Sequence, residues 1–138
     1  MLAALAFVGL ACAPAARRGP TANDAVAELA ALRQRASASC LHRRPGLLPP
    51  RPFTTDACTW WPDGDWSACC IEHDMAYWCG GTTEARRAAD TALRACIGRD
   101  HGATLSTLTY LGVRVGGAAW MPVPWRWGYG WEWLDAPP

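Results

Sequence analysis

Apolar positions recur at helical spacing in three stretches of this chain. The first runs over residues 22 to 38, where Ala, Val and Leu repeat on one face; Thr21 can cap its start and Asp24 sits in its first turn. The second runs from about Trp66 to Trp78. Asp63, Asp65 and Ser67 are candidate caps, and Gly80-Gly81 ends it. The third runs from about Thr83 to Arg99, with Thr82 or Thr83 as cap, Glu84 near its positive end, and Arg94 and Arg99 toward its negative end. The Gly-Gly-Thr connection is short enough to force the second and third helices into an antiparallel pair.

Between these stretches the pattern breaks for identifiable reasons. His42 to Phe53 holds four prolines in twelve residues, which forbids a helix and predicts an extended connection. Residues 54 to 65, TTDACTWWPDGD, read as a loop with turn chemistry at Pro62-Asp63-Gly64. Beyond Gly102 the periodicity weakens and predicts a short helix to about Leu111. The tail AWMPVPWRWGYGWEW holds five of the nine tryptophans, and its prolines and glycines keep it irregular.

Composition narrows the setting. A chain of 138 residues is one domain's worth, short enough that disulfides would help its core. All 13 basic residues are arginine, and with 12 acidic residues the net charge is +1, which points to no nucleic acid or other polyanion as partner. Residues 1 to 16, MLAALAFVGLACAPAA, are apolar and uncharged, too short to span a bilayer, and resemble the hydrophobic part of a secretory signal. Gly9-Leu10-Ala11-Cys12 also resembles a lipoprotein box, with Gly9 where leucine is usual, so lipidation of Cys12 is the alternative to plain export. Setting Cys12 aside leaves an even six cysteines, at 40, 58, 69, 70, 79 and 96, as for three disulfides in an oxidising compartment. A zinc site is the rival reading; with no Cys-x-x-Cys and with Cys69 beside Cys70, the chelate spacing is poor.

The second helix carries the chemistry. Cys69, His73, Ala76 and Tyr77 fall along one side, at steps of four and three, while Asp74 is turned about 100° away. If Cys69 bonds Cys96 on an antiparallel neighbour, Asp90 comes opposite His73 to within two residues of register, or about 3 Å of helix rise. Tyr77 would then approach Arg86, Arg87 and Asp90. A histidine held by a carboxylate with a supporting phenol is how a general base is oriented. His42 and His101 lack comparable neighbours and read as surface residues. No Gly-x-Ser-x-Gly elbow occurs, which argues against a serine esterase.

Cys-Cys-x-x-His-Asp-x-x-Tyr at positions 69 to 77 resembles the active-site helix of the secreted phospholipases A2. Arg87-Ala-Ala-Asp90 followed by Cys96 is similar to their second long helix, and Asp56-Ala57-Cys58 with Pro62-Asp63 looks most like the loop of bacterial and fungal members. The resemblance covers about residues 54 to 99. It departs from the family in three places: the glycine-rich calcium loop of the animal enzymes is absent, Ala76 stands where a cysteine is common, and Ala57 stands at a glycine-like position.

The resemblance implies an all-α fold of two long antiparallel disulfide-linked helices with a metal-binding loop, to which the sequence pattern adds an N-terminal helix and an irregular Trp-rich tail. It implies His73, Asp90 and Tyr77 as catalytic residues, and Ca2+ held by Asp56, the Ala57 carbonyl and Asp74. Asp63 and Asp65 are alternative ligands, with helix capping as their simpler role. The pairing implied is Cys69–Cys96, consistent with the register above, together with Cys58–Cys70 and Cys40–Cys79. The chain then divides into a signal or lipoprotein-type segment (1–16), an N-terminal helix and Pro-rich connection (17–53) and a phospholipase A2-like domain (54–138). The expected activity is calcium-dependent hydrolysis of a phospholipid acyl ester at a membrane surface by a secreted or periplasmic protein, with two or three tail tryptophans meeting lipid and the rest packing the core. The competing expectation is a non-catalytic lipid- or protein-binding module with the same helices, or an envelope lipoprotein anchored through Cys12.

Overall fold

The structure is a computed structural model that describes residues 22–58 and 65–133. The N-terminal segment with Cys12, the Thr21 cap and the Pro62-Asp63-Gly64 turn all lie outside the described residues. Among the described residues there are three helices and no strand: α1 (Ala22–Arg43), α2 (Ser67–Cys79) and α3 (Thr83–Gly116).

α1 runs five residues past its predicted end. Nothing in Ser39–Arg43 opposes a helix, His42 and Arg43 suit the last turn, and Pro45 is the first residue that cannot continue it. The extra turn is held from within, because Ala36 and Cys40 are fully buried and Cys40 bonds Cys79 at the end of α2. Ala36, Cys40, Phe53, Met75, Trp78 and Cys79 form one core cluster, so α1 and the Pro-rich connection share their interior with α2.

α2 starts differently from expectation. Its N-cap is Trp66, and no side chain caps it. Ser67 is already inside the helix, and Asp65 instead lies 3.8 Å from His101 Nε2. His101 is therefore not a plain surface residue: it also packs edge-on against Trp66, 4.7 Å between ring centroids. The other end of α2 follows the sequence, with Gly80 at φ 69°, a left-handed value that favours glycine.

The tail explains why that end is stable. The last carbonyls of a helix have no intrahelical partners. Here Gly128 N donates to Tyr77 O at 2.7 Å, Gly130 N to Trp78 O at 3.2 Å, and the Trp131 indole to Cys79 O at 2.8 Å. Trp127 adds a bond from its indole to Gly81 O at 2.7 Å. The irregular tail is thus a cap for α2, and it is knit by the buried Arg126, whose guanidinium donates to the carbonyls of Trp127, Gly128 and Trp131. Trp127 is buried, whereas Trp120 and Trp133 remain 74% and 50% exposed.

α3 is capped as expected, with Thr82 Oγ1 accepting from Ala85 N. It does not stop near Arg99. It continues to Gly116 across a kink confined to Gly102, at φ 81° and ψ 172°. One glycine in a conformation closed to other residues thus separates the two helical halves that the sequence suggests. Three disulfides link the elements: Cys40–Cys79, Cys58–Cys70 and Cys69–Cys96. Each contributes about 2–4 kcal/mol by restricting the unfolded chain.

Candidate active site

α2 and α3 touch at three levels. Cys69 bonds Cys96 with the two Cα atoms 5.8 Å apart; His73 meets Asp90 one turn on; Tyr77 meets Arg86 and Asp90 one turn beyond that. Arg87, expected beside Tyr77, is exposed instead, since one residue along a helix rotates a side chain by about 100°.

At the middle level His73 Nε2 lies 2.8 Å from Asp90 Oδ1. The same oxygen accepts from the Tyr77 hydroxyl at 2.8 Å. Asp90 is 0% exposed and His73 is 8% exposed. Burial pushes the Asp90 carboxyl up, but hydrogen bonds from His73, Arg114 and Tyr77 outweigh it and hold the group below the usual carboxylate range. An ionised carboxylate only accepts, so Nε2 of His73 carries the proton between them. Nδ1 is left as the nitrogen with a free lone pair. The phenol of Tyr77 is pushed up by burial and by the charge of Asp90, so it stays protonated, donating to Asp90 and accepting from Arg86 Nε.

Two arginines complete the cluster, and neither was assigned a place around Asp90 from sequence beyond the proximity of Arg86 to Tyr77. Arg114 Nη1 donates to Asp90 Oδ2 at 2.7 Å. Arg86 is buried; its Nε donates to the Tyr77 hydroxyl at 3.1 Å, and its Nη2 donates to Val113 O and Arg114 O at 2.9 and 2.8 Å. Nothing in the sequence marks Arg114, which stands three residues past the predicted end of its helix. Gly117 closes the same corner: a Cβ there would sit 2.5 Å from Tyr77 Cε1.

His73 and Asp74 open on a cavity of about 350 Å³. Its walls are mostly apolar, with Trp66, Leu93, Leu108, Val113 and Trp125 among them. A neighbouring cavity of about 230 Å³ is lined by Asp56, Asp74, Trp125 and Tyr129, so the two spaces share Asp74 and Trp125.

Asp74 is a mostly buried carboxylate. Burial pushes its carboxyl up to about 7; the Thr55 hydroxyl, donating to Oδ2 at 2.6 Å, draws it down, and the charge of Asp56 adds to the rise. Among the described residues it forms no ion pair with arginine or histidine. Two carboxylates facing one cavity, one of them costly to ionise, are a donor set that a hard cation would relieve. Ala57 lies in the same loop at φ 62°, with its N–H donated to Thr55 Oγ1 at 3.0 Å, and the Cys58–Cys70 disulfide fastens the loop to α2. Among the described residues no group of three His, Cys, Asp or Glu side chains is placed to hold a metal ion, so backbone and water oxygens would have to complete a shell around Asp74 and Asp56. Asp65 is turned toward His101, and Asp63 lies outside the described residues.

Comparison with models of known protein families, with curated proteins and with solved structures finds no match for this chain.

Proposed function

We propose that this protein hydrolyses a phospholipid acyl ester in a calcium-dependent reaction, using a water activated by His73. One observation carries the reading. A histidine whose Nε2 is bound to a fully buried, ionised carboxylate opens on an apolar-walled cavity, with a strained-to-ionise aspartate as its chain neighbour. The opposed order of the contacts 69 with 96, 73 with 90 and 77 with 86 supports an antiparallel α2–α3 pair of the phospholipase A2 kind.

His73 Nδ1 takes a proton from water as the water oxygen attacks the ester carbon. The same nitrogen then returns the proton to the departing glycerol oxygen, leaving a free fatty acid and a lysophospholipid. Asp90 stays ionised, fixes the tautomer and stabilises the imidazolium between the two transfers. Tyr77 holds Asp90 Oδ1 in place. Asp74, Asp56 and the Ala57 carbonyl would hold the Ca2+, which when bound supplies a Lewis acid for the ester carbonyl. The apolar walls take an acyl chain.

The surface supports a lipid substrate. Leu108, Leu111, Val115 and Trp120 are 53%, 53%, 73% and 74% exposed, and Leu108 also lines the cavity. Three disulfides support export to a secreted or periplasmic setting. The scarcity of side-chain metal ligands favours one rival, a module that binds lipid without hydrolysing it. Fatty-acid release from phospholipid vesicles, in calcium and then in chelator, decides between them. Release in calcium that stops on chelation supports the enzyme; vesicle binding with no release in either supports the module.

A further inference from the structure

Asp90 has two oxygens with different tasks. Oδ1 receives His73 and Tyr77; Oδ2 receives Arg114 at 2.7 Å. The carboxylate is fully buried, so whatever holds Oδ2 also fixes the plane in which Oδ1 meets the histidine. Arg86 is the other cation nearby, but its Nε stands 4.0 Å from Oδ2 and its nitrogens already serve Tyr77, Val113 and Arg114. Without Arg114, Oδ2 would keep no direct charged donor.

Arg114 also comes from a telling place. It lies beyond the Gly102 kink, on the half of α3 that supplies Leu108, Gly112, Val113 and Gly116 to the cavity wall. Arg86 grips the carbonyls of Val113 and Arg114 on that same segment. The wall that would contact an acyl chain and the carboxylate that orients the base are therefore joined directly by the Arg114 side chain at Oδ2, and at Oδ1 by the Tyr77 hydroxyl, which also lies 3.3 Å from Val113 O.

Resting on the reading of His73 as the base, we propose that Arg114 is a positioning residue of the His73–Asp90 pair: it locks the Asp90 carboxylate through Oδ2 and so makes the orientation of His73 depend on the docking of the cavity wall. It touches neither substrate nor metal in this scheme, and acts through Asp90.

The test compares the parent with Arg114→Met and Arg114→Lys, each confirmed folded by near-UV circular dichroism. In the ¹⁵N-histidine spectrum of the parent at pH 8, His73 should appear as the single Nε2–H tautomer. Arg114→Met should give mixed or broadened His73 signals, and Arg114→Lys should restore much of the single form. In vesicle hydrolysis, Arg114→Met should lower kcat by roughly tenfold or more with KM within about twofold, since it removes orientation of the base and not substrate contacts; Arg114→Lys should recover part of that loss. An unchanged His73 spectrum in Arg114→Met overturns the proposal, as does an equal loss in Met and Lys variants or a change confined to KM. If the parent hydrolyses no phospholipid, the proposed activity fails by itself, and the tautomer comparison still decides the role of Arg114.

Discussion

Replacing Asp74 with Asn should make the metal-free protein more stable while removing its response to calcium. Burial raises the Asp74 carboxyl to about 7 in the folded state, from the ordinary value near 3.8. The folded protein therefore holds this proton to higher pH than the unfolded chain does. The Asp74 contribution to stability falls as pH rises from about 4 to about 7, and then levels off, because over that range this group binds its proton in the native state and has lost it in the unfolded chain. Three units at about 1.4 kcal/mol each set a ceiling near 4 kcal/mol for the cost of the ionised group at pH 8. Asparagine avoids this cost, and its amide oxygen can still accept from Thr55. In urea unfolding with disulfides intact and chelator present, Asp74→Asn should exceed the parent by about 2–4 kcal/mol at pH 8. At pH 5, where native Asp74 is already largely protonated, the gain should shrink to about 1–2 kcal/mol. Adding calcium to a hundred times its dissociation constant should stabilise the parent by about 2.7 kcal/mol and leave the variant unmoved. A variant less stable than the parent in chelator at pH 8, or a gain that ignores pH, would refute the reasoning.

Other consequences are equally direct. Asp90 has the opposite sign: its carboxyl is held low, so its stabilising contribution is present above about pH 4 and is lost as pH falls through the depressed value. Asp90→Asn leaves Arg114 and the buried Arg86 without their carboxylate and should cost about 3–5 kcal/mol in denaturant unfolding, with a flatter acid limb than the parent; equal acid limbs would speak against it. Ala57 at φ 62° carries a left-handed strain that glycine avoids, so Ala57→Gly should stabilise the protein by about 1 kcal/mol in the same assay. Adding phospholipid vesicles should shift tryptophan emission to the blue, and Trp120→Phe should reduce that shift, since Trp120 is 74% exposed. An undiminished shift in Trp120→Phe would move lipid contact elsewhere.

Much of the helical layout was legible because it depends on local chemistry. Gly80-Gly81, Thr82 and the Pro-rich stretch punctuate the chain by backbone geometry alone, and the structure ends or starts its elements there. The meeting of His73 with Asp90 was readable because one cysteine on each side of a tight turn, Cys69 and Cys96, can constrain register, and a helix rises by a constant amount per residue. What depended on distant partners was not legible. Trp66 ends up as an N-cap without a side-chain cap, and Asp65 goes to His101, a partner that α3 supplies just before its Gly102 kink. The tail's role as a cap for α2 arises from backbone groups 50 residues away, which no periodicity encodes. Arg114 was invisible for the same reason: in Gly-Val-Arg-Val-Gly it reads as a solvated arginine, and only the path of α3 beyond Gly102 brings it to Asp90.

The central claim is that His73 acts as the base in calcium-dependent hydrolysis, and His73→Gln tests it most directly. Glutamine keeps a polar side chain of similar bulk, with no nitrogen able to accept the proton, and leaves Asp74 and the Asp56 loop in place. Measured as fatty-acid release from phospholipid vesicles in calcium, activity should fall by at least about 100-fold, while calcium affinity by titration calorimetry stays within a few-fold of the parent. Full calcium-dependent release by His73→Gln would contradict the assignment.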